Sequence, residues 1–195
     1  MKLAIFDFDG TITRSDSFIR FIYFSNGAVK AYWGFILLSP VLLLHLLRVL
    51  PNWITKQIVV TYYYRGWTVE RFNALARKYA ERDLNKIVRP QAIEKIHWHI
   101  KEGHHVVVVS ASIENYLQEW CRTMRVDLLG TRLEIHDGRL TGKIAGKNCH
   151  GLEKIRRINE KYTLSDFDYI YAYGDTQGDL PLKAIAQEFY YRFFK

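Results

Sequence analysis

The run Leu3-Ala4-Ile5-Phe6 ends abruptly in Asp7-Phe8-Asp9-Gly10-Thr11, with Ile12 and Thr13 behind it. A short apolar run closing in two carboxylates, a glycine and a threonine reads as a buried strand that delivers charge to the loop at its C-terminal end. Burying two anions two residues apart is costly unless a cation or a set of hydrogen-bond donors offsets it. The rest of the sequence should therefore hold the other ligands of such a cation.

With 195 residues the chain can bury one full core and carry a smaller appended domain. Hydrophobic residues make up 49% and charged residues 25%, which argues against disorder. The net charge of +8 favours anionic partners such as phosphorylated metabolites, anionic lipid surfaces or nucleic acid, without choosing among them. Cys121 and Cys149 are too few for a disulfide framework and read as thiols of a reducing compartment. Asp7 interrupts any apolar leader, so a cleaved signal peptide is not expected and the location reads as cytoplasmic.

Arg14 to Ser17 is a polar break, where Ser15 or Asp16 can cap a helix starting near Phe18. Residues 31–47 then carry no fixed charge between Lys30 and Arg48, with Pro40 in the middle. Three readings compete for this run: two core helices of a small helical domain, an interfacial hairpin, or a transmembrane helix. Helical patterning resumes over 54–64 and 68–82, with Thr68 as a cap. The aromatic cluster Tyr62-Tyr63-Tyr64 with Trp67 reads as packing.

From Pro90 the pattern changes. Residues 91–101 are an amphipathic helix, Val106 to Val109 is a β-branched run ending at Ser110-Ala111-Ser112, and 113–124 is helical again. That alternation predicts a doubly wound α/β sheet. His136-Asp137-Gly138 marks a hairpin between 131–135 and 139–144, residues 151–162 are a basic helix, and Tyr169 to Gly174 is a strand running into Asp175. The aromatic tail, 189–194, should pack back on the sheet.

Three strand-like runs thus end in Asp7, Ser110 and Asp175, and in an open parallel sheet such ends share one crevice. Asp7, Asp9, Asp175 and Asp179 supply four carboxylates, a donor set suited to Mg²⁺ beside a substrate phosphate. Zinc is not expected, since neither cysteine has metal-ligand spacing. The Ser110 hydroxyl and nearby backbone N–H groups can take a phosphate, and a lysine from 147–154 would balance its charge.

These motifs carry a family resemblance. Asp7-Phe8-Asp9-Gly10-Thr11, Val106 to Ser110, Asn148 to Lys154, and Gly174-Asp175-Thr176-Gln177-Gly178-Asp179 resemble motifs I to IV of the haloacid dehalogenase-like (HAD) superfamily, in order and spanning the chain. The insertion between motifs I and II resembles the helical cap of the phosphoserine-phosphatase-like branch, subfamily IB. The resemblance implies a Rossmann-like core over 1–13 and 90–195, its parallel sheet flanked by helices, and an inserted, mostly helical cap over 14–89. It implies a phosphatase in which Asp7 is the nucleophile and forms an aspartyl-phosphate, and Asp9 is the general acid and base. Ser110 and Ala111, with Gly10 and Thr11, would hold the phosphate. Mg²⁺ would be held by Asp7, the Asp9 backbone carbonyl and Asp175, supported by Asp179. In the motif III lysine's usual place before a glycine stands His150, so Lys154 is chosen and Lys147 is the alternative.

The apolar insertion also has some similarity to phosphatidylglycerophosphatase C-type enzymes, which implies a lipid-like or apolar phosphomonoester and peripheral association with the inner membrane surface. Two alternatives stand beside it: a soluble phosphoserine-phosphatase-like enzyme for a small metabolite, and a non-catalytic phosphate-binding or membrane adaptor. No nucleic acid partner is expected, because no helix joins a basic stripe to a recognised module.

Overall fold

Leu3 and Ile5 pack into one apolar cluster while Ala4 and Phe6 pack into another, so β1 (Lys2–Phe6) is buried on both faces. Only an interior strand can satisfy that arrangement, and burying Leu3, Ile5 or Phe6 contributes roughly 1.5–3 kcal/mol each. The computed structural model, which describes residues 1–195, places β1 at the centre of a five-stranded sheet. Its neighbours are β2 (His105–Ile113) and β6 (Tyr169–Gly174), with β3 (Asp127–Thr131) and β7 (Glu188–Tyr191) at the edges, and every pairing is parallel. Helices α6 (Pro90–Lys101) and α7 (Glu114–Met124) cover the Phe6 face; α8 (Leu152–Lys161) covers the Ile5 face.

Five helices intervene between β1 and α6: α1 (Ser17–Asn26), α2 (Ala28–Leu37), α3 (Ser39–Leu46), α4 (Asn52–Tyr64) and α5 (Val69–Arg82). The chain leaves and re-enters the sheet layer through two adjacent segments, Thr13 bridging Val88 while Arg14 N donates to Ile87 O and Arg89 N to Ile12 O, both at 2.8 Å. Asp16 caps α1 by accepting from Ile19 N at 2.9 Å, and Thr68 caps α5 through Arg71 N at 3.3 Å. The hairpin of β4 (Leu133–His136) and β5 (Arg139–Ile144) leans on α4, where Thr61 Oγ1 donates to Gly142 O at 2.7 Å.

Three segments differ from their sequence expectation. Residues 127–131 form an edge strand where the sequence suggested only a hairpin starting at Thr131. The aromatic tail does more than pack on the sheet: it adds β7, because Phe189 and Tyr190 align with Ala172 and Tyr173. Residues 31–47 form α2 and α3, bent by 62° at Leu38, and neither is long and apolar enough to cross a membrane alone. Nor is the run an interior pair. Of α2 only Ala31 and Gly34 are buried, and of α3 nothing is. Gly34 is the contact point with α4: a Cβ there would lie 2.3 Å from the Tyr63 hydroxyl, which donates to Ala31 O at 2.7 Å.

Candidate active site

Register decides which side chains meet. Phe6 lies opposite Val108 on one side and Tyr173 on the other, so the next residues of β1 and β6, Asp7 and Gly174-Asp175, emerge together, with Ser110 just beyond Val108. The Asp7 N–H donates to Tyr173 O at 2.9 Å and locks this edge. Asp7, Asp175 and Asp179 are all buried, with one oxygen of each within 4.8 Å of the others.

Lys154, buried on the first turn of α8, donates to Asp7 Oδ1 at 2.5 Å and to Asp179 Oδ1 at 2.6 Å. Asp7 Oδ2 is left without a protein hydrogen-bond partner, and Asp7 lines a cavity. Asp179 Oδ2 accepts from Asp175 N, Thr176 N and Thr176 Oγ1 at 3.1, 2.9 and 2.8 Å, which fixes the turn carrying Asp175. Asp175 in turn accepts from Thr11 Oγ1 at 3.3 Å and from Lys195 Nζ at 2.6 Å. Gly10, at φ +84°, passes so close that a Cβ would lie 2.4 Å from Asp175 Oδ2, so glycine is required there on two counts. Lys147 does not approach these carboxylates; it lines a second cavity of about 730 Å³ with Trp53 and Arg156.

Burial pushes Asp7 up to about 7, with Lys154 pulling down and Asp179 and Asp9 pushing up. Asp179 stays below the ordinary carboxylate range, since Lys154 and the Thr176 hydrogen bonds outweigh its burial. Lys154 is held above the ordinary lysine range by its two carboxylates, in spite of burial. Three buried carboxylates thus share one buried ammonium, with only the half-exposed Lys195 added. An all-oxygen donor set short of positive charge fits a hard divalent cation.

Asp9 points elsewhere. Its carboxylate accepts from Ser17 N at 2.7 Å and from the Ser112 hydroxyl, tying it to the start of α1 and the end of β2 rather than to the acidic cluster. The Ser110 hydroxyl accepts from Ser112 N at 3.0 Å. Asp7, Asp9, Ser110, Ala111 and Lys154 line one cavity of about 830 Å³, together with Asp179.

A family model described as haloacid dehalogenase-like hydrolase matches residues 4–183. The chain belongs to the haloacid dehalogenase-like hydrolases. Protein CicA of Caulobacter vibrioides is 35% identical over 195 residues, covering 99% of this hydrolase and 86% of CicA. Among solved structures, a protein of unknown function from Bordetella pertussis Tohama I superposes with a TM-score of 0.84 at 20% identity, over 96% of this chain and 88% of that one. A substrate-bound phosphoserine phosphatase complex superposes with a TM-score of 0.63 at 21% identity, over 97% and 85% of the two chains. Both likenesses concern the fold.

Two side chains of this hydrolase's cavity escaped the sequence reading. Ser112, two residues past Ser110 and so on the same side of an extended strand, is the hydroxyl that Asp9 uses. Lys56, on α4, donates to Ala111 O at 2.6 Å. The Ser-x-Ser spacing could have pointed to the first; nothing local singles out the second.

Asp9 yields a stability prediction. Burial pushes it up to about 6 and the Asp16 charge adds to this, while the Ser112 and Ser17 hydrogen bonds oppose it. Its folded-state pKa lies above the ordinary 3.8, so its contribution is fully present below about pH 4 and is lost as pH rises through 6. Two units correspond to roughly 3 kcal/mol at most, less for a group reached by solvent through the cavity. Asp9→Asn protein should resist urea better than wild type by about 1–3 kcal/mol at pH 8 in chelator, the gain vanishing at pH 4. Equal stability at both pH values would refute the assigned shift.

Proposed function

We propose that this hydrolase is a Mg²⁺-dependent phosphatase that cleaves a phosphomonoester through an aspartyl-phosphate on Asp7, and that its substrate carries an apolar group taken from a membrane surface. The observation that carries this reading is the single cavity, with carboxylates, Ser110 and Lys154 at its floor and Phe18, Ile22, Phe35, Ile36 and Leu42 on its walls. The phosphoserine phosphatase whose fold the chain shares supports the reaction class.

In this reading helices α1 to α5 are the cap. Asp7 Oδ2 attacks phosphorus, the bond to the ester oxygen breaks, and the Asp9 carboxylic acid protonates the departing oxygen. Water then attacks phosphorus of the aspartyl-phosphate, Asp9 takes its proton, and phosphate and the Asp7 carboxylate are regenerated. Ser110 and Ala111 line the cavity and would hold the phosphoryl oxygens; Gly10 and Thr11, expected to do so as well, sit against Asp175 outside the cavity lining and would support that loop, while Lys154 offsets charge on Asp7 throughout. Asp7, Asp175 and the Asp9 backbone carbonyl would hold Mg²⁺, with Asp179 in support, and the ion when bound would neutralise the phosphoryl charge.

The membrane half rests on what lies outside the cavity wall. Trp33, Leu37, Leu43 and Leu46 are exposed on the same two helices and Leu47 just past them, with Lys30 and Arg48 at either end. Exposed apolar side chains flanked by cations suit an anionic bilayer. Wild-type protein should float with anionic vesicles at low salt, and the double variant Leu43→Glu/Leu46→Glu should stay behind. In a panel with and without Mg²⁺, long-chain alkyl or lyso-lipid phosphates should release phosphate at least about 10-fold faster than phosphoserine, since each buried methylene contributes roughly 0.8 kcal/mol. Preference for phosphoserine would instead favour the soluble metabolite reading, for which Asp16 and Lys56 in the cavity offer opposite charges to an amino acid.

A further inference from the structure

Lys56 reaches from α4 across the seam to the Ser110-Ala111-Ser112 segment and lines the cavity. Its ammonium has one hydrogen bond, to a neutral backbone carbonyl, and no carboxylate within ion-pair distance. That carbonyl has a second donor within reach, Thr131 Oγ1 at 2.7 Å, whose single proton is shared between it and Asn148 Oδ1 at 2.8 Å. Its other contact is the face of the Phe18 ring, 5.3 Å away, so this half-buried charge has a weak cation–π partner and no compensating anion. Burial indeed pulls it below the ordinary lysine range, against the more distant charges of Asp16 and Asp9. Lys154, in contrast, is already committed to Asp7 and Asp179, and Lys195 to Asp175. Of these three lysines, Lys56 alone has no carboxylate partner and lines the cavity with its charge open to an anionic ligand.

Resting on the function proposed above, we infer that Lys56 is a substrate-binding residue carried by the helical layer: its ammonium pairs with the oxygens of the phosphoryl group held over Ser110 and Ala111. A dianionic phosphate then supplies the missing anion, and binding joins α4 to the end of β2 through charge as well as through packing. A substrate that arrives without its phosphate leaves this lysine unpaired, which ties affinity to the phosphoryl group rather than to the apolar tail.

Inorganic phosphate is the probe, titrated calorimetrically into the protein with Mg²⁺ present. Lys56→Met and Lys56→Gln should each bind phosphate roughly 10- to 100-fold more weakly, the loss expected for one charge-assisted hydrogen bond. Their melting temperatures should be equal to wild type or higher. Gln keeps a donor for the Ala111 carbonyl without charge, so its failure to bind separates charge from anchoring; Lys56→Arg should recover most of the affinity. Lys101→Met is the charge control, since Lys101 ends α6 at the opposite edge of the sheet, just before β2 begins. Unchanged phosphate affinity in folded Met and Gln variants, or a lower melting temperature with unchanged affinity, would overturn the inference while leaving the phosphatase reading intact. Absence of phosphate binding by wild type would overturn both.

Discussion

Asp7→Asn protein will release phosphate roughly 10⁴-fold more slowly than wild type or worse, and will do so while remaining folded. The substitution removes the anionic oxygen that attacks phosphorus but keeps an acceptor for the 2.5 Å hydrogen bond from Lys154 Nζ. Asp179 remains as the charged partner of that lysine at 2.6 Å. Burial already disfavours the charged form of Asp7, pushing it up to about 7, so an uncharged isostere should leave the melting temperature unchanged or raise it. Wild-type protein quenched during turnover should carry phosphate on the peptide containing Asp7, and the variant should not. Turnover by Asp7→Asn protein within about 10-fold of wild type would remove Asp7 from the chemistry and with it the proposed intermediate.

The second large effect belongs to Lys154. Replacing it with Met leaves Asp7 and Asp179 facing each other, buried, with no ammonium between them. Breaking a buried pair by deleting one partner costs about 3–5 kcal/mol, which for a chain of this size lowers Tm by roughly 10 °C or more. The loss should be largest at pH 8 and smaller at pH 5, because carboxylates stripped of their cation take up protons more readily. Mg²⁺ should restore part of the stability of Lys154→Met protein if the acidic cluster binds it, whereas wild type should gain less. Urea melts at two pH values, with and without Mg²⁺, read all of this out. A variant as stable as wild type at pH 8 would show that Lys154 is not the counter-charge. Attention would then return to Lys147, although it lines a different cavity.

The geometry behind both predictions was legible in the sequence because it is a consequence of strand ends. An apolar run that stops at an acid, as at Phe6-Asp7 and Gly174-Asp175, places that acid at a carboxyl edge, and parallel pairing lines up such edges without any knowledge of side-chain packing. The order of α6, β2 and α7 was readable for the same local reason, as was the hairpin around Asp137-Gly138. Edge strand β3 was not, since Asp127-Leu128-Leu129-Gly130 carries little β-branched character and owes its pairing to the exposed edge of β2. The helical run 31–47 was ambiguous for a different reason. With no polar face it has no direction that must point outward, so sequence alone cannot separate a core pair from a surface one.

By itself, then, the sequence determined the three central strands and the residues Asp7, Ser110 and Asp175 at their carboxyl ends, because each depends on short-range periodicity and a connection rule. Only the tertiary structure decided that Asp9 turns away to Ser17 and Ser112, that Lys154 and not Lys147 meets Asp7, that α3 buries no residue fully, and that Lys56 enters the cavity. These depend on how α1 to α5 and α8 seat against the sheet, a sum of many weak contacts between residues far apart in the chain, which no local pattern encodes.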